Sequence, residues 1–190
     1  QKNAPEGLPL SIGIASHGIN PCGVDYFSDE FWPGYKKGWC FLQGEKYMPQ
    51  VAESTHLPEN LIWWKAHNFV EMSYELITDS DYPQIKDELL AALHDTEAKK
   101  TAAQILSAYS GVAAELIADT FNNAPNIFAI EDISAEKLAF KQDLSYKIRH
   151  NIHDADTGAM AKLISQMSKE LQGGYYPFIK EVISFTAQAL

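Results

Sequence analysis

The residues best suited to chemistry in this sequence are His67 and Glu71, four positions apart in the segment WWKAHNFVE. On an α-helix, positions i and i+4 are neighbours on one face, so an imidazole nitrogen and a carboxylate oxygen can bind the same ion. The same spacing also suits an ordinary hydrogen-bonded pair on a helix surface. The pair therefore raises the hypothesis of a divalent-metal site, with the surface pair as the alternative.

Two further histidines lie where they could complete such a site. His56 falls in the turn THLPEN that leads into the helix carrying His67, and His17 falls in the segment SHG of a glycine-rich stretch. A lone histidine in such a stretch is also typical of a solvated turn. We predict a metal site formed by His17, His56, His67 and Glu71, with zinc as the expected divalent ion.

A second concentration of ligand types lies in the segment RHNIHDADTG, where His150 and His153 are followed by Asp154 and Asp156. Nitrogen and oxygen ligands this dense can bind a metal. However, basic residues at the end of one helix and an aspartate at the start of the next are what helix-terminus electrostatics favours. We interpret this segment as a helix end followed by an N-cap.

The elements that must position these residues are predicted to be helices. Residues 1–57 carry most of the glycines and prolines and have poor periodicity, so we expect an irregular wrapping segment with one or two short helices. The segment SIGIA near Ser11 is the only candidate strand. Apolar periodicity predicts helices over about residues 58–77, 82–94 and 102–121, from Ser134 to His150, from Asp154 or Asp156 to Gly173 and Gly174, and from Pro177 onward.

We therefore expect one all-α domain over residues 1–190, a compact bundle of six or seven helices built from residues 58–190 and wrapped by residues 1–57.

Composition excludes several classes of function. The 190 residues carry a formal net charge of −10, which argues against broad nucleic-acid binding and against an anionic membrane surface. No apolar run reaches the roughly 20 residues of a membrane-spanning helix. GxGxxG, P-loop and GxSxG motifs are absent, and no Ser or Cys has a distinctive setting, so catalytic residues stay unassigned.

Cysteine usage bears on the compartment. Cys22 and Cys40 are the only cysteines and lack the CxxC spacing of a zinc or redox motif. Free thiols and a cytoplasmic location are the favoured interpretation, while a disulfide after export with a removed leader is the alternative.

Several of these pieces resemble the zinc-dependent phospholipase C family, which shares its fold with fungal single-strand nucleases. The stretch FLQGEKYMPQ, the STH that ends at His56 and the segment HNFVE occur in the order that the family shows, over roughly residues 10–75. The resemblance implies an all-α metal-dependent hydrolase of a small-molecule or lipid-type phosphoester, with His17, His56, His67 and Glu71 as metal ligands. One departure is Gln50, which stands where the family has an acidic residue.

A second resemblance is to the HD phosphohydrolase superfamily. The run LLAALHDTEAKK is similar to the apolar run that ends in that family's His-Asp doublet, here His94 and Asp95, and His67 would supply the earlier helical histidine. The Ile-Gly-Lys that usually follows the doublet is replaced by Thr-Glu-Ala. The third hypothesis is a non-catalytic helical module that binds a ligand or partner, in which the histidines are structural. The sequence leaves the oligomeric state open.

Overall fold

The fold is all-α, as the sequence predicts. The computed structural model describes residues 8–20, 22–127 and 130–189, and these ranges contain no strand. They form nine α-helices, a five-residue π-helix (Tyr26–Glu30) and a single 3-10 turn (Glu45–Tyr47). The α-helices are α1 (Leu8–His17), α2 (Trp39–Gly44), α3 (Met48–Thr55), α4 (Glu59–Asp81), α5 (Pro83–His94), α6 (Thr96–Ser110), α7 (Ala114–Ile127), α8 (Ala135–His150) and α9 (Thr157–Ala189).

The described part of the N-terminal segment is more helical than its composition suggests. The stretch SIGIA, the candidate strand, lies within α1, and α2 and α3 follow before residue 57. This is one reason why the described ranges hold nine α-helices where six or seven were predicted. Pro9, Gly13, Gly44 and Pro49 lie within these helices, while the other described glycines and prolines before residue 59 lie in the connections.

The core forms where α4, α8 and α9 pack together. Fully buried residues come from all three helices, including Phe69 and Val70 of α4, Tyr146 of α8, and Ile164 and Met167 of α9. The predicted start of α4 is confirmed, since the helix begins directly after Pro58. The buried side chains of α4 pack against its neighbouring helices, and this close packing fixes the position of the residues that α4 carries.

The predicted single helix over residues 102–121 is wrong. The chain ends α6 at Ser110 and starts α7 at Ala114, and Gly111 has a φ of 73° at the C-terminal cap of α6. Glycine reaches this left-handed conformation without steric cost, so it ends the helix even though the apolar spacing continues across it.

The predicted helix end at Gly173 and Gly174 is also wrong, because α9 runs through both glycines and through Pro177 to Ala189. Leu171, Tyr175, Phe178 and Val182 continue the buried stripe at spacings of four, three and four. Packing of this stripe against α4 and its neighbours outweighs the low helix propensity of the glycines and the proline.

The predicted caps of α8 and α9 are confirmed. The Ser134 hydroxyl accepts a hydrogen bond from the Lys137 backbone N–H at 3.4 Å, and the Asp156 carboxylate accepts one from the Ala159 backbone N–H at 2.9 Å. Both cysteines are free thiols. Among the described helices, none has the length and apolar character needed to cross a membrane.

Candidate metal centre

Three ligand-type side chains converge beside α4. Asp29, His67 and Glu71 each offer one ligand atom, and these atoms all lie within 4.8 Å of one another. Asp29 belongs to the π-helix, whereas His67 and Glu71 come from α4. Among the described residues, this is the one group of three or more His, Cys, Asp or Glu side chains close enough to hold a single ion.

The short helix α2 brings the two halves of this cluster together. A Cβ added at Gly38, just before α2, would lie 2.1 Å from the Ser28 carbonyl oxygen, and one added at Gly44 would lie 2.9 Å from the backbone of Ala66. The Gly38 N–H also donates to the Asp29 carbonyl at 3.0 Å. Any side chain at either position would push the backbones apart, so both glycines are needed for this close approach.

Neighbouring side chains orient the Glu71 carboxylate from both sides. The buried Ser28 hydroxyl donates to Oε1 at 3.2 Å, and the Asn68 amide donates to Oε2 at 3.1 Å. The same Asn68 Nδ2 lies 3.0 Å from Nε2 of His67. The Asn68 amide therefore bridges His67 and Glu71, which are 3.9 Å apart between Nε2 and Oε2.

This bridge assigns a tautomer to His67. With the Asn68 amide nitrogen as the donor, Nε2 of His67 is the acceptor and Nδ1 carries the proton. Nδ1 is buried without a hydrogen-bond partner among the described residues, and the backbone of Trp64 acts to raise the pKa of the ring against the effect of burial. The ring is also stacked on Phe41, with the centroids 4.3 Å apart.

Burial and neighbouring charges shift the protonation of the cluster toward neutral side chains. Burial and the negative charge of Asp29 raise the pKa of Glu71 to about 7, while hydrogen bonds from Asn68 and Ser28 act in the opposite direction. Burial lowers the pKa of His67 below its ordinary value, despite the opposing effect of Asp29. At neutral pH the imidazole of His67 is therefore neutral, and Glu71 is close to half ionised beside Asp29.

A divalent ion fits the donor set on these observations. Oδ1 of Asp29 is buried and has no hydrogen-bond partner among the described residues, although a carboxylate oxygen normally has one. The donors are one imidazole nitrogen and two carboxylates, a combination that suits zinc and related ions. The Asn68 amide nitrogen lies close to both Nε2 of His67 and Oε2 of Glu71, at 3.0 and 3.1 Å.

The other two predicted ligands lie outside this cluster. His17 is exposed and pairs with Asp25 at 3.0 Å between Nδ1 and Oδ2. His56 ends α3 in the left-handed conformation, with a φ of 53°, and its Nδ1 donates to the Asp154 carbonyl at 2.8 Å. The turn at His56 directs its ring toward the chain before α9, so the structure brings together His67 and Glu71 but neither of these two.

His17 is nevertheless connected to the cluster through charge. Burial raises the pKa of its partner Asp25, and the nearby Asp29 adds to that increase. Asp25 in turn contributes to the raised pKa of Glu71. The carboxylates of Asp25, Asp29 and Glu71 therefore share one electrostatic environment, with His17 at its exposed side.

The remaining histidines have other surroundings. Asp95 caps α6 by accepting hydrogen bonds from the backbone N–H groups of Glu97 and Ala98, and His94 is the exposed last residue of α5. His150 ends α8 and its ring meets the edge of Trp64 at a centroid distance of 6.4 Å. These placements agree with the interpretation of His150 and Asp156 as helix-end residues.

Asp29 is the residue of the cluster that the sequence analysis missed. It lies 38 positions before His67, in the segment FSDEFW, where poor helical periodicity gave no reason to pair it with α4. The available signal was the spacing of Asp25 and Asp29, which repeats the i, i+4 pattern of His67 and Glu71. Comparison of the chain with protein-family models, curated proteins and solved structures found no match.

Proposed function

We propose that this protein is a divalent-metal-dependent hydrolase of a phosphoester. The observation that supports the metal-dependent part is the convergence of Asp29, His67 and Glu71 around one point. The phosphoester part comes from the resemblance of residues 10–75 to the zinc-dependent phospholipase C family. A small-molecule or lipid-type phosphoester is the corresponding substrate class, and a cytoplasmic location is part of the same proposal.

Some residues of the chain would bind the ion, and others would orient those ligands. His67 would donate Nε2, while Asp29 and Glu71 would each donate one carboxylate oxygen. Ser28 would hold the second Glu71 oxygen, and stacking on Phe41 would keep the imidazole plane fixed. Three protein ligands leave a coordination position open, which is typical of catalytic zinc sites. A bound ion of this class supplies an activated water near neutral pH and polarises a phosphoryl oxygen.

Binding of the ion requires a movement of Asn68. Its amide hydrogens point at the two atoms that would become ligands, so the side chain must rotate before Nε2 and Oε2 can share a cation. Asn68 also lines the cleft between α4 and α8, and this cleft has space for the rotated amide.

The HD-type alternative uses His67, His94 and Asp95. It remains a second candidate, although the Asp95 carboxylate is engaged as the N-cap of α6 and neither His94 nor Asp95 belongs to the cluster around His67. The non-catalytic module remains the third hypothesis, in which the three clustered side chains serve stability or bind a ligand without turnover.

The test begins with the metal content of protein purified without a histidine tag or added metal. The expected result is one equivalent of a transition metal, and hydrolysis of bis(nitrophenyl) phosphate that a chelator abolishes and zinc or manganese restores. Asp29→Asn should remove the metal, whereas His94→Ala and the exposed Asp87→Asn should retain it. Metal loss in His94→Ala alone would favour the HD-type site. Absence of metal and of any thermal shift with zinc or manganese would favour the non-catalytic module.

A further inference from the structure

A cleft of about 700 Å³ lies along one side of α8, with part of α4 and the end of α7 as its other walls. Its lining along α8 runs from Lys137 to Arg149, a distance of roughly 18 Å at the helical rise per residue. The cleft is separate from the metal cluster, although Asn68 of α4 borders both. The size suits a small ligand.

One end of this cleft holds two cations that have no counter-ion in the part of the chain that the structure describes. Lys65 of α4 is only 3% exposed, and its ammonium lies 3.8 Å from the centroid of the Trp64 ring. Within the described ranges, no carboxylate lies within ion-pair distance of Lys65 or Arg149. Both side chains line the cleft, so an anion bound there would offset their mutual repulsion.

The adjoining wall of the cleft is apolar. Phe140, Leu144 and Ile148 follow one another at i, i+4 spacing on α8, and they are 60%, 45% and 74% exposed. All three line the cleft. Leucine, isoleucine and phenylalanine left this open on one helix face provide a surface along which an apolar chain could be buried.

Charged side chains are unevenly distributed along the cleft. Lys141 is already paired with Glu75 at 3.8 Å, and the carboxylates of Glu131 and Asp132 line the cleft wall contributed by the segment before α8. Lys65, Lys137 and Arg149 are the cleft cations without an ion pair within the described ranges, and of these Lys65 and Arg149 lie toward the C-terminal end of α8, away from the segment that carries Glu131 and Asp132. In a chain of net charge −10, such a local excess of positive charge attracts an anion.

We propose that this cleft binds a single-chain amphipathic anion, with a carboxylate or phosphate head between Lys65 and Arg149 and an alkyl chain along Phe140, Leu144 and Ile148. The head group serves as the counter-ion of the two cations, and the alkyl chain covers the exposed apolar stripe of α8. Binding requires no metal, so this inference does not rest on the proposed hydrolase function.

The experiment is titration calorimetry of the chelator-treated protein with four probes, each kept below its micelle concentration. Dodecanoate and dodecyl phosphate carry both features, dodecanol lacks the charge, and inorganic phosphate lacks the chain. We expect at least one of the two anionic amphiphiles to bind at least tenfold more tightly than dodecanol and inorganic phosphate. Equal binding of dodecanol would refute the role of the cations, and equal binding of inorganic phosphate would refute the role of the apolar stripe.

Variants then locate the site. Arg149→Gln and Lys65→Met should each weaken binding of the anionic amphiphile at least tenfold, which corresponds to about 1.4 kcal/mol. Lys180→Gln removes the same charge from an exposed position on α9 and should leave binding within twofold. Thermal denaturation shows whether Lys65→Met is folded. If Lys65→Met does not fold, Arg149→Gln still tests the site, because Arg149 is exposed.

The apolar wall has its own pair of variants. Ile148→Ser should weaken binding, whereas Ile183→Ser, at a position on α9 that is 62% exposed, should not. Unchanged affinity in both Arg149→Gln and Ile148→Ser, or an equal loss in the two control variants, would overturn the proposal.

Discussion

Replacing Glu71 by glutamine tests the metal centre most directly. The substitution keeps the size of the side chain and removes the charge that an ion would bind. The amide oxygen can still accept the hydrogen bond from Ser28 or from Asn68, so the local structure should survive. If Glu71 is a ligand, zinc affinity falls while the fold is retained.

The size and the pH dependence of the effect follow from the pKa of Glu71, which burial and Asp29 raise to about 7. With that pKa, the ionised fraction is roughly one-eleventh at pH 6 and ten-elevenths at pH 8, so proton competition weakens zinc binding roughly tenfold at the lower pH. His67 contributes less, because burial lowers its pKa and its Nε2 is already unprotonated. Glu71→Gln should abolish most of this tenfold dependence and should bind zinc at least tenfold more weakly at pH 8.

In the metal-free protein, the same substitution should stabilise the fold at high pH. A carboxyl group whose pKa is raised on folding favours the folded state fully below its unfolded pKa, and this advantage is lost as the pH rises toward 7 and above. Metal-free Glu71→Gln should therefore be more stable than the parent at pH 8. With 36% of the Glu71 side chain exposed, screening reduces the effect to about 1 kcal/mol, or about 2–4 °C in the melting temperature.

The assay combines zinc titration at pH 6 and pH 8 with thermal denaturation in the presence of a chelator. Glu75→Gln is the matched control, because it removes the same charge one turn further along α4, where Glu75 pairs with Lys141. The control should keep both the zinc affinity and its pH dependence. Parent-like zinc binding in Glu71→Gln at pH 8 would show that Glu71 is not a ligand, and the metal-centre reasoning would then be refuted.

Three further changes probe the elements that support the site and the fold. Gly44→Ala places a Cβ 2.9 Å from the Ala66 backbone, so we expect a loss of about 1–3 kcal/mol in unfolding free energy and weaker zinc binding, measured by denaturation and titration. Asn68→Ala removes the amide that hydrogen-bonds both Nε2 of His67 and Oε2 of Glu71, so both atoms become free to bind zinc and the affinity should be equal or higher; a tenfold decrease would contradict this expectation. Gly173→Ala meets no atom within 4 Å inside α9 and should raise stability by about 0.5–1 kcal/mol; a decrease would contradict the continuous helix.

The parts of the fold that the sequence predicts are those in which a local pattern and the packing agree. The start of α4, the N-cap of α8 at Ser134 and the bounds of α5 within one residue follow from capping residues and apolar spacing. The errors occur at glycines. Gly111 ends a helix despite a continuing stripe, whereas Gly173 does not end one, and only the packing around each glycine decides between these outcomes.

For a similar reason, two of the three residues of the candidate site could be predicted from the sequence. His67 and Glu71 are local in sequence and share one helix, so their spacing brings them together wherever that helix lies. Asp29 reaches them only through the packing of α2 between the π-helix and α4, which depends on close backbone contact at Gly38 and Gly44. No periodicity in the sequence encodes such a contact, and the two glycines there look like ordinary loop residues.

Asp29 is also what separates the two interpretations of the His67 and Glu71 pair. A surface pair on a helix would have water around both groups and would gain from a protonated histidine beside an ionised glutamate. Here the surroundings do the reverse, since burial favours the neutral form of His67 while burial and Asp29 favour the protonated form of Glu71. A second carboxylate placed against such a pair is unfavourable unless a proton or a cation joins the group. The structure places the neutral amide of Asn68 between these groups, which donates hydrogen bonds but supplies no charge, so the surroundings of His67 and Glu71 are not those of an exposed surface pair.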